Sequence, residues 1–83
     1  MHMGLIEAKR VQRLLETVVS TRKNCSFEDL ERLLLACGFT SRGGKGSHVI
    51  FKRGPLAISV PKRKPVKEHY VEEVLALIYS ITD

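Results

Sequence analysis

Two apolar rhythms divide the chain. Over residues 5–23 the positions Ala8, Val11, Leu14, Leu15 and Val18 recur three and four apart, with Lys9, Arg10, Arg13 and Glu16 outside that stripe, which predicts an amphipathic helix. The polar stretch Thr21-Arg22-Lys23-Asn24 ends it. Ser26 then has the character of an N-cap: its hydroxyl can accept the amide of residue 29, and Glu28 and Asp29 fall in the first turn, where the helix dipole favours negative charge. Phe27, Leu30, Leu33, Leu34 and Cys37 supply the buried stripe of a second helix over 27–37. Gly38 stands just past its end, where a positive φ is easy for glycine.

Beyond this point the period falls to two. Short strands are predicted over 39–42, 47–53 and 56–60, separated by a turn at 43–46 with three glycines and by Gly54-Pro55. Val49 and Phe51 point one way, with His48, Ile50 and Lys52 on the other; Leu56, Ile58 and Val60 alternate with Ala57 and Ser59. Matching faces by apolar content assigns Val49, Phe51, Leu56, Ile58 and Val60 to the core and leaves His48 outside, together with an anomalous Ile50. Pro61-Lys62-Arg63-Lys64-Pro65 suits neither a helix nor a central strand. A last helix is predicted over 66–81, with Tyr70, Val74, Leu77, Ile78 and Ile81 buried and Glu68, Glu72 and Glu73 facing water. The order α-α-β-β-β-α, with hairpin-linked strands, predicts a two-layer α+β fold.

Eighty-three residues suffice for one small domain, and 43% apolar with 28% charged residues is an ordinary globular composition. No apolar run approaches the roughly 18 residues that cross a bilayer, and no signal peptide is recognisable, so no membrane role is expected. Met1-His2-Met3-Gly4 reads as an expression scar ahead of the native start. Cys25 and Cys37 form no CxxC pair and have no histidine at zinc spacing; two free thiols packed in the core of a cytoplasmic protein is the expected arrangement.

Charge changes the picture more than composition does. The net charge is +5, yet residues 42–67 hold eight Lys or Arg and no Asp or Glu, leaving the rest of the chain at −3. Such asymmetry marks a binding face for a polyanion, with RNA the first candidate. Within this segment the turn delivers His48 to the start of a strand, and histidine alone among side chains has an unperturbed pKa, about 6.5, that lets it exchange protons near neutrality. RNA cleavage needs a base for the 2′-hydroxyl, charge stabilisation at phosphorus and a proton for the leaving oxygen. His48 is the candidate base or acid. Lys45 and Lys52 are candidate phosphate ligands, and the amides of Gly43, Gly44 and Gly46 can converge on a phosphate. Lys62, Arg63, Lys64 and Lys67 precede a helix N-terminus, a favourable place to hold phosphate. No carboxylate cluster accompanies His48, so neither a metal nor another cofactor is expected. Each feature also has a plain structural reading: a solvated strand histidine, a β-turn, a solvated basic loop. His69 reads as surface of the last helix.

Gly46-Ser47-His48, followed by an apolar-rich strand ending in Phe51-Lys52, resembles the signature of the HicA toxins. So do the helix running into Gly38-Phe39, the strand closing in Ser59-Val60-Pro61, the basic loop and the final helix. The resemblance covers residues 26–81; the tripeptide carries little weight alone and gains specificity from the order of elements around it. It implies a fold similar to double-stranded-RNA-binding domains, α-β-β-β-α. It also implies an endoribonuclease that cleaves messenger RNA and is held inactive by a HicB antitoxin. Carried over by position, His48 is the catalytic histidine, and Gly46 and Ser47 are the first residues of its motif. Residues 26–83 would form this domain. Residues 5–25, an extra N-terminal helix and link, depart from the family's minimal form. That helix either extends the core or covers the outer face of the sheet and obstructs substrate. The alternative function is a non-catalytic RNA-binding module of the same fold, reading A-form RNA by shape.

Overall fold

The computed structural model describes residues 8–81. Among them the chain forms α1 (Lys9–Ser20), α2 (Phe27–Ala36), β1 (Thr40–Gly43), β2 (His48–Arg53), β3 (Leu56–Pro61) and α3 (Glu68–Ser80). The strands make one antiparallel sheet in the order β1-β2-β3. This is the expected α+β arrangement, α-β-β-β-α with an extra helix in front.

Local chemistry fixes the ends of α2. The Ser26 hydroxyl accepts the Asp29 amide at 3.1 Å, a cap worth about 1 kcal/mol. At the other end Gly38 adopts φ +91°, its amide donates to the Leu35 carbonyl at 3.1 Å, and the Phe39 amide donates to the Leu34 carbonyl at 3.0 Å. These are the two bonds of a Schellman closure, and they turn the Phe39 ring inward, where it is buried. The strand after it accordingly begins at Thr40, one residue later than the apolar pattern predicts.

One face of the sheet makes the core. Phe51 and Val60 are buried among Leu30, Leu33, Val71 and Val74, and Val49, Leu56 and Ile58 pack at the margin on the same face. The Phe27 and Phe51 rings meet at 6.1 Å between centroids, joining the start of α2 to the middle strand. α2 packs on β1, α3 on β3, and α1 on α2. α1 contributes Val11, Leu15 and Val18 to the same core. It therefore extends the core on the helical side; Thr40, Arg42, Lys52, Ala57 and Ser59, which line the other face of the sheet, stay exposed.

Several predicted boundaries shift. The first helix starts at Lys9 and stops at Ser20; Ala8 is exposed at the N-cap position. Its end is tied off where the Thr21 hydroxyl and amide both donate to the Thr17 carbonyl, at 2.7 and 3.0 Å. The expected helix positions 5–7 and the scar at 1–4 lie outside the described residues. The last helix begins at Glu68, because Val66 is held extended by its amide donating to the Cys25 carbonyl at 2.9 Å. Its buried positions are Val71, Val74, Leu75 and Ile78, with Tyr70, Leu77 and Ile81 only half-buried. The predicted stripe kept Val74 and Ile78 and missed Val71 and Leu75. Leu75 also lines a groove between α1 and α3, with Val19, Arg22, Glu72, Ala76 and Tyr79. α3 thus faces two neighbours, which rotates and widens its apolar side relative to a helix that meets a sheet alone. Cys25 and Cys37 are buried free thiols, and burial pushes both above the ordinary thiol value of 9.0.

Candidate active site

The turn between β1 and β2 grips the backbone of His48 twice. The Gly44 amide donates to the His48 carbonyl at 2.9 Å, and the His48 amide donates to the Lys45 carbonyl at 3.1 Å. Closing so tightly needs a left-handed residue, supplied by Gly46 at φ +61°. It also needs close approach at Gly44: a Cβ there would lie 3.3 Å from the His48 carbonyl oxygen and 3.3 Å from Ile50 Cγ1. Ile50 is therefore less anomalous than the sequence makes it. It lies on the outer face, half-buried against a glycine backbone.

His48 opens β2 opposite Pro61 of β3. Its side chain is half-buried, and Nδ1 is inaccessible with no hydrogen-bond partner. No carboxylate or carbonyl holds Nδ1, unlike the histidine of a Ser-His-Asp triad, whose tautomer is fixed from behind.

The basic residues separate into two groups. On the outer face Arg42 pairs across the ladder with Ile50, and Lys52 pairs with Thr40 and Ala57. Lys52 shares the face of His48, but four residues of strand separate them by about 13 Å. Lys45 is exposed in the turn. The second group follows β3. The Lys62 amide donates to the Ser47 carbonyl at 2.8 Å, joining the loop 62–67 to the histidine turn, a contact between residues distant in sequence. Arg63, Lys64 and Lys67 are exposed there, and Lys67 is the N-cap residue of α3, with no side chain capping the first amides. The Lys62 ammonium turns the other way, over the Phe27 ring at 5.9 Å from its centroid, in a cation–π contact. Gly44, Lys45, Gly46 and Ser47 thus adjoin His48 in the turn, and the backbone of Lys62 is tied to Ser47; Arg63 and Lys64 follow in the exposed loop, Lys52 is at the far end of the sheet face, and Lys67 is at the head of α3. Arg42, absent from the residues singled out by sequence, lies between His48 and Lys52 on the exposed face.

The strands and their connections carry no Asp or Glu, so this segment itself supplies no negative charge against its cations. Among the described residues no three His, Cys, Asp or Glu side chains stand together, and no helix is long and apolar enough to cross a membrane. His69 is exposed in the first turn of α3, its ring 4.0 Å from that of Tyr70. The arrangement is an open basic surface with one imidazole in it, a shape for a chain-like anion rather than for an enclosed small molecule.

Comparison with known proteins yields one family. The model of the HicA toxin of bacterial toxin–antitoxin matches residues 27–78, from the first residue of α2 into the last turns of α3. No curated protein and no solved structure matches the chain. Because the match spans well over half of the sequence and includes the His48 turn, the basic loop and both helices packed on the sheet, this chain belongs to the HicA toxins of bacterial toxin–antitoxin pairs.

Proposed function

We propose that this toxin is an endoribonuclease that cleaves messenger RNA through His48 without a metal ion, and that a HicB-like antitoxin silences it in the cytoplasm by covering the same face. The supporting observation is the setting of His48: a half-buried imidazole whose backbone is pinned at a strand start, within a segment, 42–67, that holds eight Lys or Arg and no Asp or Glu. In the reaction Nε2 takes the proton of a ribose 2′-hydroxyl, and the 2′-oxygen attacks the adjacent phosphorus. The bond from phosphorus to the 5′-oxygen breaks, and that oxygen takes the proton back from the imidazolium. The products are a 2′,3′-cyclic phosphate and a 5′-hydroxyl. Lys45, Ser47 and the amides of Gly44 and Gly46 contact phosphate beside the scissile bond, while Arg63, Lys64 and Lys67, with Lys62 at the hinge of the loop, hold the strand on one side and Lys52 on the other. Residues 26–83 carry this activity, and 5–25 support it from the helical layer.

One proton-transfer group contributes about 10²–10⁴ in rate, so a site built on a single histidine is a slow nuclease. The deciding experiment compares wild type with His48→Ala on RNA in the presence of a chelator. Cleavage by wild type alone, leaving 2′,3′-cyclic ends, is expected. Equal cleavage by both proteins would remove His48 from the mechanism, and cleavage only with added metal would overturn the metal-free reading. Absence of cleavage by pure wild type, with RNA still bound, would favour a binding module. Direct occlusion by the antitoxin predicts hydrogen-exchange protection within 42–67 in the complex; protection confined to the helices would refute it.

A further inference from the structure

Spacing along the sequence directs attention to Lys45 and Lys52 as the cations closest to His48. The sheet register directs it to Arg42. The Gly44 amide bonds the His48 carbonyl, so Gly44 faces His48 across the ladder, and Arg42 is two residues back on the same face of β1. Arg42 is therefore the diagonal neighbour of His48, about 7–8 Å away between backbones, against about 13 Å for Lys52. Only Gly44 and Ile50 lie between. Glycine has no side chain, and Ile50 leans onto the place where one would be. The result is a low apolar step with an imidazole at one end and a guanidinium at the other.

Arg42 is also uncommitted. Arg22 and Arg32 pair with Glu72 and Asp29 on the helices, whereas Arg42 makes no hydrogen bond or ion pair among the described residues. A guanidinium is always charged, and its planar fork matches two oxygens of one phosphate, which an ammonium cannot do.

We propose that Arg42 is a second catalytic residue, gripping the two non-bridging oxygens of the phosphate whose neighbouring 2′-hydroxyl His48 deprotonates. This rests on the ribonuclease reading above. As the bond from the 2′-oxygen to phosphorus forms, the phosphorane gains one negative charge over the diester. Arg42 holds that added charge. When the bond to the 5′-oxygen breaks, the charge leaves with that oxygen and is quenched by the proton from His48. Arg42 transfers no proton and ends unchanged. Its contribution grows toward the transition state, so it raises the rate of cleavage more than the affinity for RNA.

The test separates these quantities. Single-turnover cleavage of a short single-stranded RNA at saturating protein is measured beside equilibrium binding of the same strand with 2′-deoxyribose at the cleaved position. Wild type, Arg42→Ala, Arg42→Lys, Lys52→Ala and His48→Ala are compared. Removing one donor of this kind typically lowers the rate about 10²–10³-fold, and Arg42→Ala is expected to do so with affinity within about tenfold of Lys52→Ala. Arg42→Lys is expected to recover part of the rate. A phosphorothioate at one non-bridging oxygen slows wild type in one stereoisomer, and Arg42→Ala levels that difference. If Arg42→Ala cleaves at saturation as fast as Lys52→Ala, or loses binding and cleavage in proportion, Arg42 has no catalytic role. In both cases a silent His48→Ala leaves the ribonuclease reading standing, whereas a fully active His48→Ala removes that reading itself.

Discussion

The first helix lies outside the family match, and its place in the fold can be measured. Val18 is fully buried in the cluster that also holds Val11, Leu15 and the apolar side of α2. Val18→Ala removes two carbons from that site. At about 0.8 kcal/mol per buried methylene, plus a cavity that the packed surroundings fill only in part, the loss is about 2–3 kcal/mol. For a domain of this size each kcal/mol shifts the midpoint by about 4–8 °C, so Tm falls by about 8–24 °C. Far-UV circular dichroism on heating, with urea unfolding at fixed temperature, reads both midpoint and slope. The midpoint falls while the urea slope stays the same, since the unfolding unit is unchanged. Gln12→Ala, on the exposed side of α1, serves as the control and stays near wild type. A Val18→Ala melt within 2 °C or so of wild type, against the roughly 8–24 °C expected, would refute cooperative packing of α1 and make it an appendage.

Three further outcomes are expected. Gly38→Ala, at φ +91° with Arg53 Nε 3.4 Å from the new methyl, and Gly46→Ala, at φ +61° in open space, each lose about 1–2 kcal/mol in thermal melts; no loss at Gly46 would mean that the turn has another conformation. Because burial raises both thiols above 9.0, the folded chain keeps protons that the unfolded chain releases, so stability holds from neutrality to about pH 8 and declines above pH 9. A chromogenic disulfide reagent at pH 8 accordingly labels Cys25 and Cys37 slowly until urea is added, and rapid labelling of the native protein would contradict their burial. RNA affinity falls with salt by a log–log slope of about −0.7 per phosphate contacted, and Lys45→Ala or Lys64→Ala each flattens it by about one such unit; a flat response would exclude nucleic acid from the basic face.

Much of this fold is legible in the sequence because its signals are local. A hydroxyl at Ser26, a glycine at Gly38 and the alternation from Val49 to Val60 act on their own neighbours, and those elements form as the pattern predicts. What the pattern misses comes from contacts between distant residues. The face of α3 depends on where α1 lies, and nothing in residues 66–81 encodes that. The start of α3 depends on Cys25, whose carbonyl holds Val66 extended. The candidate site divides in the same way. Its residue types and charge can be read directly, but the bond from Lys62 to Ser47 that joins loop to turn cannot. Nor can the register that brings Arg42 closer to His48 than Lys52 is. Ile50 is the instructive case: an apolar residue on a polar face is explained by a glycine from the neighbouring strand end.

The separation of helical layer from exposed sheet face has an evolutionary consequence. Substitutions at exposed positions usually change stability by less than about 0.5 kcal/mol. The residues proposed to do chemistry are nearly all of that kind, whereas the core that maintains the fold is buried on the opposite face. A single exchange at Arg42 is therefore expected to disarm the protein and leave its shape intact. Cells selected to survive the toxin should accumulate such folded, harmless copies alongside truncated ones. A folded copy would still present most of its surface to the antitoxin, competing with active toxin for it, so an inactivated duplicate elsewhere in the same genome would sensitise the cell rather than protect it.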